Sequence, residues 1–204
     1  MINRTRGRHG KSVTPGRTPA LHHAMTETAI IARAQRGDDA AFESLVRRYY
    51  VRCWRYARGM LNDPSDADDV AQNVFYRVHR ALPNFVDDGR FVSWLFQIVV
   101  NECRMANRSR GRRLRRVTSR DHAALAMHAD PRTHDIHSMI DLGVAVARLE
   151  PRQREVLLLR FGENLELSEI AAVIGIGESA AKMRLKRACD ALRAILVPER
   201  SNAG

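Results

Sequence analysis

The 204-residue chain carries 34 Lys and Arg against 23 Asp and Glu, a formal net charge of +11, with 45% hydrophobic and 6% aromatic residues. That hydrophobic content sustains packed cores and excludes wholesale disorder, and the positive field favours a polyanion, nucleic acid first, as partner. No run reaches the roughly 18 apolar residues that span a bilayer, and no apolar segment follows the basic N-terminus as a secretory signal requires. The expectation is a cytoplasmic protein without membrane insertion.

The charge is concentrated. Residues 1–24 hold five basic side chains and residues 104–120 hold eight, with no acid in either stretch, which leaves about −2 for the remainder. Two near-neutral bodies carrying focused basic elements result, the pattern of a phosphate contact. Cys53, Cys103 and Cys189 are odd in number and lack CxxC spacing, so they read as buried thiols. His122, His128, His134 and His137 crowd one stretch without helical HxxxH spacing, and a polar linker is the preferred reading. Neither a glycine-rich phosphate loop nor a nucleophile or metal motif is present, so no catalytic residue, metal or cofactor is expected.

In chain order, residues 1–25 mix Gly, Pro, Ser, Thr and Arg without periodicity and predict a disordered basic tail, with Met25 a second candidate start. Helices are expected at about 27–36, 39–61, 66–82 and 90–109, separated by Gly37-Asp38, Asn62-Asp63-Pro64 and residues 83–89. Asp66 is the expected N-cap of the third, whose Val70, Val74, Val78 and Leu82 form one apolar stripe. The fourth passes from Phe91, Trp94, Leu95 and Phe96 into Arg104, Arg108, Arg110, Arg112 and Arg113. Aromatics beside guanidinium groups suit single-stranded nucleic acid, where bases stack while the backbone is neutralised; packing into the core is the plainer reading of Trp94 and Leu95.

A linker is expected over 110–139. Beyond it, a helix from Leu149 to Phe161 carries Val156, Leu157 and Phe161, Ser168 caps a short helix through Ile174, and Gly175-Ile176-Gly177 turns the chain. A last helix, about Glu178 to Leu196, faces Leu185, Ala188, Leu192 and Ile195 inward and leaves Lys182, Arg184, Lys186 and Arg187 to solvent. Small Ala171 at the crossing, Gly175 four residues on and a basic second helix make a helix-turn-helix that fits a major groove. The domains read as 26–109 and 140–197, with 198–204 a tail. The fold class is all-α: two small helical domains joined by a flexible linker.

Two blocks in this order resemble one family. They are Asp66 to Phe75 with Phe91-Val92-Ser93-Trp94-Leu95 and Asn101, then Leu149 to Val156, Glu169-Ile170-Ala171 and Lys182 to Ala188. Together they resemble the bacterial RNA polymerase sigma factors of the extracytoplasmic-function class. The resemblance implies a transcription initiation factor that joins core RNA polymerase, touches its clamp coiled coil and flap, and reads the −10 and −35 promoter elements. It assigns Asp66, Asp69, Gln72, Asn73 and Tyr76 to the clamp, and the segment from Leu149 to Phe161 to the flap. Asn84, Phe85, Arg90, Asn101, Arg104, Arg108 and Arg112 fall to −10 DNA, with the loop 84–90 capturing an extruded base. Lys182, Met183, Arg184, Lys186 and Arg187 fall to −35 DNA. An anti-sigma factor is an implied further partner. This sequence departs from the family pattern at Asn73 and Met105, where acids are usual, and at Ala180, Ala181 and Met183. The rival reading is a helix-turn-helix regulator that binds operator DNA without polymerase; it would need a strand-and-helix phospho-acceptor domain in front.

Overall fold

A computed structural model describes residues 26–118 and 137–196. The described residues hold helices and turns and no strand, so the alternation that a phospho-acceptor domain requires is not found in the leading half. Four helices build the first body: α1 (Glu27–Gln35), α2 (Asp39–Leu61), α3 (Pro64–Ala81) and α4 (Phe91–Thr118). Four more build the second: α5 (His137–Arg148), α6 (Pro151–Leu157), α7 (Leu167–Ile174) and α8 (Glu178–Leu196). The expected tail, the linker histidines at 122, 128 and 134, and residues 197–204 lie outside the described residues.

Local chemistry sets the boundaries. Asp38 caps α2 by accepting from the Ala41 N–H at 3.0 Å, after Gly37 has taken a φ of +85°. Asp63, not Asp66, caps α3: its Oδ1 accepts from Ser65 N at 2.9 Å and Asp66 N at 3.1 Å. Pro64 fills the first helical position, where its missing N–H costs nothing. Asp66 therefore lies inside the first turn, its negative charge favourable at that end of the helix dipole. The stripe Val70, Val74, Val78 and Leu82 is buried throughout, packed against Leu45, Tyr49 and Cys53 of α2 and Leu95, Phe96 and Val99 of α4 in one core. Helix α4 runs nine residues past its expected end, because the stretch after 109 contains one glycine, Gly111, among arginines of good helix propensity and no proline.

The second body differs from expectation in two places. The segment expected as one helix to Phe161 is α6 to Leu157 followed by a single wide π turn over Leu158–Gly162, which leaves Phe161 67% exposed. Ser168 is not the cap of α7; the chain enters at Glu166, whose backbone N–H donates to Glu169 Oε2 at 2.8 Å. The helix-turn-helix itself is as read. Gly175 adopts φ +74°, ψ +44°, its N–H and that of Ile176 both donate to Ala171 O at 2.9 and 3.0 Å, and Ala181 and Ala188 of α8 are fully buried.

The bodies meet along α2 and α4. Arg52 Nε donates to Glu163 Oε2 at 2.8 Å, Ser93 Oγ to Glu169 Oε1 at 2.9 Å and Gln97 Nε2 to the Ala172 carbonyl at 3.2 Å. Arg104 holds Glu155 through two parallel bonds of 2.8 and 2.9 Å. Where α2 passes the π turn, a Cβ built on Gly59 would lie 2.8 Å from Leu158 Cδ1.

Candidate nucleic-acid interface

Helix α3 turns its polar face outward. Asp69, Gln72 and Asn73 are exposed and Tyr76 is 63% exposed, while half-buried Asp66 stands 3.7 Å from Arg110 Nη1. A groove of about 740 Å³ runs between this face and α4, lined among others by Asn73, Tyr76, Arg77, Arg80 and Asn101. The Arg80 guanidinium lies 5.8 Å from the Tyr76 ring centroid, a cation–π geometry. Arg77 pairs with Glu102, which is buried at the groove floor; burial raises that carboxyl while Arg77 opposes the rise. The fold thus gathers into one groove residues that the family resemblance splits between polymerase (Asn73, Tyr76) and DNA (Asn101).

The loop after α3 is built on an aromatic base. Phe85 is half-buried, its ring centroid 4.6 Å from Trp94 and 5.7 Å from Phe91, and Phe91 lies 5.4 Å from Tyr49. Phe85 is therefore a support for the loop and not a free stacking face. Gln35 of α1, which sequence reasoning missed, spans this point: its Nε2 donates to the carbonyls of Leu82 at 3.1 Å and Phe85 at 2.5 Å. Nothing in the local sequence marks it, because the contact joins positions 47 and 50 residues apart. Above that base Asn84, Val86 and Arg90 are exposed, with Arg90 Nε 3.5 Å from Asp88. Gly89 closes the loop with φ +81°, its N–H donating to Asp87 Oδ1 at 3.1 Å.

Along α4 the expected DNA residues divide. Asn101, Arg108 and Arg112 face solvent, and Arg112 Nη2 donates to Ser109 Oγ at 3.1 Å. Arg104 is committed to Glu155 and to the Ile174 carbonyl at 3.3 Å, and hydrogen bonding to that carboxylate raises its pKa further. On α8, Lys182, Met183, Lys186 and Arg187 form an exposed face, with Lys186 Nζ 2.8 Å from Asp190. Arg184 leaves that face: it is 23% exposed and its Nη1 lies 3.9 Å from Glu155 Oε2.

The seam supplies a pH test. Burial pushes the Glu163 carboxyl above the ordinary 4.5, against the opposing pull of Arg52 and Arg55. A carboxyl raised by folding contributes stability that is whole below its unfolded pKa and lost as pH rises through the folded one. Glu163→Gln is neutral throughout, so it is expected to melt above the parent chain near neutral pH, the gap closing below 4.5. Thermal scans across that range check it, and a parent chain that melts higher at neutral pH would show the Arg52 pair to outweigh burial.

Comparison with known proteins adds to this geometry. Residues 45–113 match the family model described as Sigma-70 region 2, and residues 145–194 that of Sigma-70, region 4. The RNA polymerase sigma-H factor of Pseudomonas aeruginosa is 32% identical, over 83% of this chain and 93% of its own. The ECF RNA polymerase sigma factor SigM of Mycobacterium tuberculosis is 30% identical, over 85% of this chain and 86% of its own. Among solved structures, CnrH in complex with the cytosolic domain of CnrY is 28% identical, covers 83% of this chain and 96% of that one, and superposes with a TM-score of 0.63.

Proposed function

Since the chain belongs to the extracytoplasmic-function RNA polymerase sigma factors, a family of transcription initiation factors and not of enzymes, we propose how its surfaces divide the work of directing core polymerase to promoters. The outward face of α3, with Asp66, Asp69, Gln72, Asn73 and Tyr76, docks on the clamp coiled coil. The loop 84–90 captures one extruded base of the −10 element, and Asn101, Arg108 and Arg112 follow the backbone along α4. The exposed face of α8 reads the −35 element, and exposed Phe161 on the π turn meets the flap. The domains are taken as 26–109 and 140–197. The place of action is the cytoplasm, and a protein inhibitor of the anti-sigma kind is the further partner.

One observation carries the reading most. Helix α8 buries Ala181 and Ala188 completely while Lys182, Met183, Lys186 and Arg187 stand out on the opposite side, which is how a recognition helix enters a major groove. Lys and Arg there donate to guanine O6 and N7 or to flanking phosphates. Strand opening needs no nucleotide hydrolysis by this chain, because unstacking a base costs about a few kcal/mol, which stacking and backbone contacts offset.

Transcription with purified core polymerase on a library of promoter fragments tests the reading. Core alone is expected to give few defined transcripts, and core with this chain to initiate at a limited set sharing two elements. A chain that neither binds core nor changes the transcripts would overturn it.

A further inference from the structure

Helix α1 lies outside the residues matched to region 2, which begin at 45, yet its first and last residues serve the two roots of the loop 84–90. At its end, Gln35 Nε2 donates to the carbonyls of Leu82 at 3.1 Å and Phe85 at 2.5 Å, where α3 gives way to the loop. At its start, Glu27 accepts from the Tyr49 hydroxyl and lies 3.6 Å from Arg48 Nε. The Tyr49 ring is 5.4 Å from that of Phe91, the residue that opens α4 beyond the loop. Gln35 thus fixes the entry directly, and Glu27 supports the exit through one ring.

The loop has little of its own to hold it. Its internal contacts are Asp88 N to the Val86 carbonyl at 3.1 Å, Gly89 N to Asp87 Oδ1 at 3.1 Å and the Arg90 pair with Asp88 at 3.5 Å. Val86 is 80% exposed, and Asn84 and Arg90 face solvent. A segment with so few internal bonds takes its shape from its anchors. The entry anchor is firm: the Leu82 carbonyl accepts from Phe85 N at 3.0 Å as well as from Gln35, so the turn Leu82–Asn84 is held from both sides. Without the Gln35 amide, the Phe85 carbonyl loses its donor and the peptide that leads to Val86 is free to rotate.

We propose that Gln35 is a positioning residue for base selection. It touches no DNA; by holding the Leu82 and Phe85 carbonyls it sets the height and tilt at which Asn84 and Val86 meet the extruded base. This rests on the proposed function for what the loop captures. A plain structural role, satisfying two carbonyls left over at a helix end, predicts lower stability with the same choice of base. The positioning role predicts the same fold with a poorer choice.

The test uses the full chain with core polymerase and templates that carry each of the four bases in turn through the downstream element, with a second set varied through the upstream one. The captured position is the one whose preference persists when the opposite nucleotide is abasic, since an extruded base is read from the single strand. A mismatch in a recognised site ordinarily costs about 5- to 150-fold. Gln35→Leu keeps the bulk and removes the donor. It is expected to lower the preference at the captured position at least about threefold, inside the range of roughly two- to tenfold set by one lost hydrogen bond, and to leave the upstream element unchanged. Gln35→Lys brings back a single nitrogen able to donate to both carbonyls and is expected to restore the preference to within about twofold of the parent. Its added charge acts alike on every template and cancels in the ratio. Amide exchange of the free chain over 84–90 is expected to quicken in the leucine variant alone, while α2 and α8 keep the parent's protection. Base selection that survives in the leucine variant, a loss that extends equally to the upstream element, or no recovery with lysine would overturn the proposal and leave the proposed function standing. A parent chain with no preference at any downstream position would overturn the proposed function, and this role of Gln35 with it.

Discussion

Replacing Asp69 with Arg is expected to weaken association with core polymerase about 100-fold or more, since like charges brought face to face across an interface cost several kcal/mol. Asp69 is exposed at the centre of the outward face of α3 and has no part in the buried stripe, so helicity and melting temperature are expected to stay unchanged. The paired substitution Lys186→Ala with Arg187→Ala is expected to do the opposite. It spares core affinity and lowers transcription from promoters that depend on the upstream element, by about 1–3 kcal/mol for each lost bidentate base contact. Core affinity by competition against a labelled sigma factor, and runoff transcripts from templates with and without the upstream element, separate the two. If both sets of changes reduced core binding alone, the assignment of α8 to DNA would be wrong.

Arg154→Ala is expected to lower the stability of the folded chain by at least about 3 kcal/mol, the scale on which uncompensated buried polar groups destabilise proteins. Arg154 is 6% exposed and touches no acid among the described residues; it donates instead to five backbone carbonyls. Val146, Ala147 and Leu149 belong to the end of α5 and its turn, and Gly59 and Met60 to the end of α2, so one cation gathers carbonyls from the C-terminal ends of two helices in different bodies. Burial lowers the pKa of this guanidinium. Arg154→Lys is expected to recover only a small part of the loss, because three donors on a single nitrogen cannot span carbonyls spread around a planar fork. Urea unfolding midpoints measure both variants, and an alanine variant as stable as the parent would remove Arg154 from this role.

Residue spacing is sufficient for features that a single helix encodes. The Val70 to Leu82 stripe, the extent of α2 and α8, and the positive φ of Gly175 follow from periodicity and turn chemistry alone. The cap of α3 is harder to read because Asp63, Ser65 and Asp66 are all competent; Pro64, which prefers the first helical position, is the signal that singles out Asp63. The seam is not legible at all. Arg52 with Glu163 and Arg104 with Glu155 join residues 111 and 51 positions apart, and no local pattern distinguishes a paired arginine from one waiting for a phosphate. For that reason Arg104 and Arg184 read as DNA contacts, yet both turn toward a carboxylate, while Arg108, Arg112, Lys182, Lys186 and Arg187 lie open as expected. Arg154 stands inside a motif recognised by its resemblance, but its work, capping two helices from the interior, emerges only once α2 and α5 are side by side.

Helix α4 is continuous for 28 residues, about 42 Å at 1.5 Å per residue, with the aromatic-backed loop at one end and arginines toward the other. A rod of that kind acts as a ruler. Under the proposed function, the interval between the base taken by loop 84–90 and the phosphates met by Arg108 and Arg112 is set by covalent geometry, so inserting a nucleotide within the downstream element is expected to shift a base out of register, whereas the span between the two elements does not depend on the rod.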